Sequence, residues 1–211
     1  MIIAIVCADR NYGIGKDNDL LISIPDDMKK FARLTSKSTV LMGRKTYESL
    51  PNAPLKNRTN LVITSKSLDE PFELDDKMHE VSMEKAKEFL IEHRKTMKEL
   101  KDADFEEEDD DVESGSNSKK RKNKTPEGKI FIIGGGKVYA ELLPYCDMIY
   151  ITKVFKAFDN VDTYFPNIDN MREWEICMAD DIMEYEGVKY QFRRYKNNKP
   201  MRIKEQKKSK K

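Results

Sequence analysis

The chain has 211 residues, 36% of them charged and 38% apolar, with a net charge of +1. The charged share exceeds the ~25% of an ordinary globular protein, but residues 101–128 hold only Ala103, Phe105 and Val112 as apolar residues; without that stretch and the polar end from Lys199, about 170 residues remain with roughly 44% apolar content, enough for one sizeable core. No apolar run reaches the ~18–20 residues of a membrane-spanning helix, three cysteines (Cys7, Cys146, Cys177) without CxxC spacing suggest neither a disulfide framework nor a zinc site, and two histidines (His79, His93) lend little to metal or Ser-His-Asp chemistry.

The N-terminus is apolar but lacks the basic region of a signal peptide. Ile2–Cys7 is instead a continuous apolar run, as expected of a strand covered on both faces. A helical pattern follows over Pro25–Leu34, then a strand over Thr39–Met42 and a helix over Arg44–Leu50. Asn60–Thr64 is a third strand and Met83–Met97 a third helix. Residues 104–113 are nearly all acidic and residues 119–124 (KKRKNK) nearly all basic. Neither block can bury enough apolar area to offset chain entropy, so residues 100–128 read as a solvated insertion. Such insertions cost little closure entropy. A strand over Ile130–Ile133, a helix over Lys137–Leu143 and a strand over Met148–Val154 come next. Glu173–Ile182 and Val188–Tyr195, joined at Tyr185-Glu186-Gly187, read as an antiparallel hairpin. Residues 199–211 form a basic tail. The alternation predicts a single α/β domain over residues 1–198, interrupted by the insertion. Its central twisted sheet is mainly parallel, flanked by helices, with the C-terminal hairpin on its edge.

Four segments carry residues with chemical potential. In the first, Ser23 is the candidate N-cap and Pro25 suits the first turn. Asp26 faces Lys30 at i+4, an ordinary surface pair. Asp27 differs, because its i+4 and i+7 neighbours are Phe31 and Leu34. An acid on that apolar face is desolvated, which raises a carboxyl pKa and suits proton chemistry near neutral pH. The competing reading is a first-turn Asp favoured by the helix dipole, and spacing alone favours it.

In the second segment, Gly134-Gly135-Gly136-Lys137 leads from a buried strand into a helix. Bare backbone there can approach a phosphate closely, although a flexible turn explains three glycines equally well. In the third, Gly43-Arg44-Lys45-Thr46 also follows a strand. Cations at a helix N-terminus oppose the dipole, so an anionic ligand is a reasonable explanation, with two solvated surface cations as the alternative. Thr64-Ser65-Lys66 ends another strand and can add hydroxyls and charge. Several phosphate-competent strand ends on one edge suit ligand binding by an α/β sheet. In the fourth, Arg58 lies beside Leu55 just before a strand. It can fork onto a carboxylate, although a surface Arg with its stem on the core is the better reading from composition.

Together these segments resemble dihydrofolate reductase. The matching stretches are Ile14–Leu20, Ile24–Phe31, Met42–Leu50, Pro54–Asn60, Ile133–Tyr139 and Asp162–Pro166, in the family's order, and the likeness covers residues 2–196 apart from the insertion. The resemblance implies NADPH-dependent reduction of 7,8-dihydrofolate to tetrahydrofolate in one-carbon metabolism, by a cytoplasmic monomer. Asp27 would hold the pterin edge, supported by Thr152, and promote protonation at N5. Ile5, Val6, Cys7, Met28, Phe31, Leu50 and Leu55 would surround pterin and benzoyl rings, and Arg58 would pair with the α-carboxylate of the glutamate tail. The Gly135–Val138 turn would receive the pyrophosphate with Thr46. Arg44, Ser65 and Lys66 would face the 2′-phosphate. Cys7, Ile14, Gly15, Asn18, Leu20, Gly43, Lys45, Thr64, Ile133, Gly134, Tyr139 and Thr163 complete the implied cofactor site. The resemblance also implies a cis Gly134–Gly135 peptide and a mobile lid over residues 10–24. One departure lies near the chemistry: where the family usually carries Leu/Met-Pro-Trp, this chain has Leu20-Leu21-Ile22. Ile22 fills space but cannot donate a hydrogen bond, so less efficient protonation is expected.

Three other readings compete. A reductase of the same fold could act on another pterin-like or riboflavin-pathway substrate, but Asp27 with Arg58 suits a folate better. A catalytically weak folate- or nucleotide-binding regulator is consistent with Ile22. Nucleic-acid binding through the basic runs is disfavoured, because the acidic block competes for them and no aromatic residues interleave to stack bases.

Overall fold

In the computed structural model, residues 1–65, 75, 77–104 and 128–201 are described, with residues 101–104 described by backbone alone. The central sheet contains β1 (Ile2–Ala8), β4 (Thr39–Gly43), β5 (Thr59–Ile63), β6 (Met78–Val81), β7 (Ile130–Gly134), β8 (Met148–Val154), β10 (Trp174–Ala179), β11 (Met183–Tyr185) and β12 (Val188–Asn197). Its order is β10-β12-β8-β1-β7-β4-β5-β6, with β11 also pairing with β12. The run from β8 to β6 is parallel, and β12 joins β8 antiparallel. The helices are α1 (Pro25–Thr35), α2 (Arg44–Ser49), α3 (Met83–Asp104) and α4 (Gly136–Leu142). The fold is the expected α/β sheet with its antiparallel edge.

Strand alternation divides the interior into two layers. Ile2, Ala4, Val6 and Ala8 of β1 pack with Ala86 and Leu90 of α3 and Val138, Tyr139 and Leu142 of α4. Ile3 and Ile5 face the other way, toward Leu34 of α1, Tyr47 of α2, Leu50 and Leu55. Cys7 lies on this second face with Ile22 and Ile24. Each large side chain buried in these layers stabilises the fold by about 1.5–3 kcal/mol.

Several local expectations are corrected. Helix α1 starts from Ile24, not Ser23, and makes no side-chain cap. Ile24 is buried and anchors that end, while Pro25 presets the first turn without needing a donor. Asp26 lies 3.7 Å from Lys29 rather than pairing with Lys30; Lys30 reaches Asp180 at 3.1 Å. Helix α3 continues to Asp104, into the stretch read as insertion. The acidic and basic blocks lie outside the described residues. The first arm of the C-terminal hairpin is two strands, β10 and β11, because pairing breaks at Asp181–Ile182, after the Asp180 N–H donates to the Phe192 carbonyl. The turn itself falls at Glu186-Gly187, both at positive φ (49° and 74°).

Four short strands escaped the sequence reading: β6, and β2 (Gly13–Lys16), β3 (Asp19–Leu20) and β9 (Thr163–Tyr164). The last three form a separate antiparallel sheet, β3-β2-β9. Asp17 and Asn18 turn β2 into β3 at positive φ, 52° and 66°, and the Asp17 N–H donates to Asp162 at 2.8 Å. The segment expected to act as a lid is thus a small hairpin tied to residues 162–164.

Candidate active site

The C-terminal ends of β1, β7 and β4 lie side by side, the edge where parallel sheets bind ligands. After β7 the chain passes through a cis Gly134–Gly135 peptide. Gly134 has φ +128°, a conformation open to glycine. At Gly136 a Cβ would lie 2.8 Å from the Tyr164 carbonyl oxygen, so a side chain cannot fit. The end of β4 reaches the same place: a Cβ on Gly43 would lie 3.2 Å from Val138 Cγ2, and one on Gly135 would lie 3.3 Å from Thr46 Oγ1. The two glycine turns seen in sequence therefore form one cradle. Neither α2 nor α4 has a side-chain cap, so their first N–H groups have no such partner.

Around the cradle, Arg44 and Lys45 are exposed, and Arg44 donates to Glu48 at 2.6 Å. Ser65 is exposed, and Thr64 is buried with its N–H donated to the Val81 carbonyl. Lys66 lies outside the described residues. Tyr139 is buried and donates its hydroxyl to the Ile5 carbonyl at 2.6 Å, tying α4 to β1. Burial keeps that phenol protonated by pushing its pKa up. Gly15, Thr163 and Gly136 adjoin one another, and Ile14 packs against the core. Ile133 is half-buried on the α1 face, while Asn18, Leu20 and Lys137 are exposed.

Asp27 sits in the first turn of α1, half-buried. Thr152 of β8 is only 3% exposed and donates its hydroxyl to Asp27 Oδ1. Burial raises the Asp27 carboxyl pKa, opposed by the Thr152 hydrogen bond and by the charge of Lys30. Thr152 pairs in register with Cys7 of β1. Two strand spacings, β8 to β1 to β7, then separate Thr152 from the strand that runs into the glycine cradle, about 10 Å. Cys7 is held as a thiol, its pKa raised by burial and by neighbouring Asp27.

Ile5, Phe31, Leu50 and Leu55 are half-buried and share the Asp27 side of the sheet, and Met28 is exposed on α1. Val6 departs from the expectation. It is 7% exposed and packs in the opposite layer, because neighbours along a strand face opposite ways. Only its main chain reaches the Asp27 side. Ile22 is half-buried and, like Cys7 and Phe158, packs against the cluster of Ile24, Val154 and Tyr190.

Arg58 is half-buried, and its Nε is buried without a hydrogen-bond partner. Asn60, 0% exposed, holds the loop beneath it. Its amide donates to the Leu55 and Arg58 carbonyls at 2.9 and 2.8 Å and accepts from the Leu55 N–H at 2.9 Å. The sequence reading passed over Asn60; a polar residue heading an apolar strand was the available signal.

The chain also matches a known family. The family model described as dihydrofolate reductase matches residues 1–99 and 90–197. The chain belongs to the dihydrofolate reductase family. The Bacillus subtilis dihydrofolate reductase is 32% identical over 192 residues, covering 91% of this chain and 90% of that one. The Drosophila melanogaster enzyme is 31% identical over 203 residues, covering 90% and 93%. A solved structure of dihydrofolate reductase from Enterococcus faecalis, complexed with NADP(H) and RAB-propyl, superposes with a TM-score of 0.63 at 27% identity, covering 94% of this chain and 96% of that one. Among the described residues of this family member, no helix is long and apolar enough to cross a membrane. The same residues contain no cluster of three His, Cys, Asp or Glu suited to a metal.

Proposed function

We propose that the chain reduces 7,8-dihydrofolate to 5,6,7,8-tetrahydrofolate with NADPH. The observation that carries this reading is the half-buried Asp27, bonded to Thr152 of β8, the strand that lies two places from the one running into the glycine cradle. The cradle fits a phosphorylated dinucleotide: close-packed glycines, the Thr46 hydroxyl and two uncapped helix starts present small polar groups to an anion. Gly135, Gly136, Lys137, Val138 and Thr46 would hold its pyrophosphate, and Arg44 and Ser65 its 2′-phosphate. When bound, NADPH supplies a hydride to C6 of the pterin.

The chain's own residues do the rest. Asp27 accepts hydrogen bonds from the 2-amino group and N3 side of the pterin, so one edge of the ring is fixed. Thr152 fixes the carboxylate in turn. Burial raises the Asp27 carboxyl pKa, opposed by Thr152 and Lys30, and the carboxylate promotes protonation at N5 through water. Ile5, Phe31, Leu50 and Leu55 exclude solvent from the rings. Arg58 meets the glutamate carboxylate, which its unpaired Nε and desolvated charge favour. That feature favours a folate over a riboflavin-pathway substrate, which has no such tail. Ile22 leaves the proton's water less ordered than a Trp would.

The catalytic domain spans 1–198, interrupted by the charged insertion read at about 100–128, with a basic tail from 199. It works as a cytoplasmic monomer. The test is NADPH oxidation by the intact chain, measured with and without dihydrofolate. Oxidation that requires dihydrofolate and yields tetrahydrofolate is expected. Tight binding of both molecules without turnover would favour the regulatory reading instead.

A further inference from the structure

Lys30 is a cation that the proposed reaction does not use. It follows Asp27 by three residues on the same face of α1. Its side chain is 20% exposed. Its Nζ donates to Asp180 Oδ2 at 3.1 Å and stands 3.4 Å from the centroid of the Phe192 ring. Both partners come from the C-terminal edge, some 150 residues away in sequence. Asp27, Lys30, Thr152, Asp180 and Phe192 line one crevice of about 20 Å³ between α1 and strands β8 and β12.

We propose that Lys30 is a positioning residue for the reduction: clamped by Asp180 and Phe192, it holds a fixed positive charge beside Asp27 and keeps that acid an anion in the resting enzyme. A lysine free in solvent would spread its charge over many rotamers and be screened. Here an ion pair and a ring face restrict it, in a crevice with little room for water.

The other groups around Asp27 do not supply this charge. On α1, Asp26 pairs with Lys29 at 3.7 Å and accepts from the Tyr190 hydroxyl of β12 at 3.3 Å. On β8, Thr152 donates a hydrogen bond but carries no charge. On β1 and α4, Cys7 and Tyr139 stay neutral, their pKa values raised chiefly by burial. On β12, Arg193 donates to Gln191 at 2.7 Å and Arg194 lies over Tyr150, 5.0 Å from its centroid. Lys30 is the cation whose charge pulls the Asp27 carboxyl down against the upward push of burial.

The inference rests on the proposed reaction, and two readouts separate them. Carbon-13 NMR of aspartate-labelled protein, with Asp27→Asn to assign the resonance, follows the Asp27 carboxyl directly and needs no turnover. In Lys30→Met, which keeps an aliphatic stem over Phe192, the titration midpoint is expected to rise by roughly 0.5–1 pH unit, the effect of one partly screened neighbouring charge. Lys30→Gln, which can still bond Asp180, is expected to raise it similarly, and Lys30→Arg to restore it. The pH profile of single-turnover hydride transfer should move in the same direction as the midpoint. A midpoint that stays at the parent value in both Lys30→Met and Lys30→Gln overturns the inference, even with normal turnover. A midpoint that rises in a chain without reductase activity overturns the proposed function instead.

Discussion

Arg58 offers a quantitative test of how the substrate is read. Its Nε is buried and makes no hydrogen bond to the described protein, and burial lowers the pKa of its guanidinium. Burying such a donor without a partner costs about 1–3 kcal/mol, while a hydrogen bond to a charged group contributes about 1.5–3 kcal/mol. In Arg58→Met the aliphatic stem beside Leu55 survives and only the unpaired head is lost. The free protein should therefore be as stable as the parent, or more so. Binding of a carboxylate-tailed substrate should weaken by the value of the lost pair. At 1.36 kcal/mol per tenfold, 1.5–3 kcal/mol is a drop of roughly 10- to 150-fold in kcat/KM. A dihydropterin lacking the benzoylglutamate tail provides the control, since it never meets Arg58. The assay compares kcat/KM for dihydrofolate and for the tail-less pterin in parent and variant, with thermal melts of both proteins. A comparable loss on both substrates, or a melting temperature that collapses, would refute the assignment of Arg58 to the tail.

Asn60→Ala strips three hydrogen bonds from the loop under Arg58 and leaves Leu55 with unpaired backbone groups; thermal melts should show a loss of about 2–4 kcal/mol, a fall of roughly 5–15 °C for a chain of this size. Asp27→Asn should behave in the opposite way, because its amide oxygen can still accept from Thr152 while the desolvated charge is gone. The raised folded pKa of Asp27 gives stability that is complete below the unfolded carboxyl range and is lost as pH rises through the folded value. The variant should thus melt about 2–4 °C higher at neutral pH and lose that advantage below about pH 4, as pH-dependent calorimetry can check. Ile22→Trp should raise the single-turnover rate at neutral pH, because an indole N–H can order the proton-carrying water; an unchanged rate and pH profile would show that Ile22 does not limit protonation.

The long apolar runs announced the central sheet because a strand covered on both faces leaves no ambiguity of pattern: Ile2–Cys7, Ile130–Ile133 and Met148–Val154 all recur as β1, β7 and β8. The small sheet did not announce itself. Gly13, Gly15 and the exposed Asp19–Leu20 carry no alternation, and their pairing depends on residues 163–164, far along the chain. Strand β6 was hidden similarly, since Met78–Val81 lies at an edge with one buried residue. At the site, Phe31 and Leu34 singled out Asp27 on the half-buried side of its helix, but spacing alone favoured a helix-dipole role, and the catalytic one came from the resemblance. Thr152 and the cofactor roles came from the resemblance, not from local pattern. Lys30 was misread as a surface partner of Asp26, because nothing local reveals that Asp180 and Phe192 fold onto it. Val6 is a reminder that one step along a strand reverses the face.

The most direct test of the account is single-turnover hydride transfer to dihydrofolate by the parent and by Asp27→Asn, followed from pH 5 to pH 9. If Asp27 both grips the pterin and promotes protonation at N5, the variant should be at least about 100-fold slower at neutral pH, within the range of one positioned acid–base group. It should recover as the solution becomes acidic enough to protonate the substrate without help. Equal rates and parallel pH profiles in the two proteins would contradict the account, because the carboxylate beside Thr152 would then have no part in the chemistry.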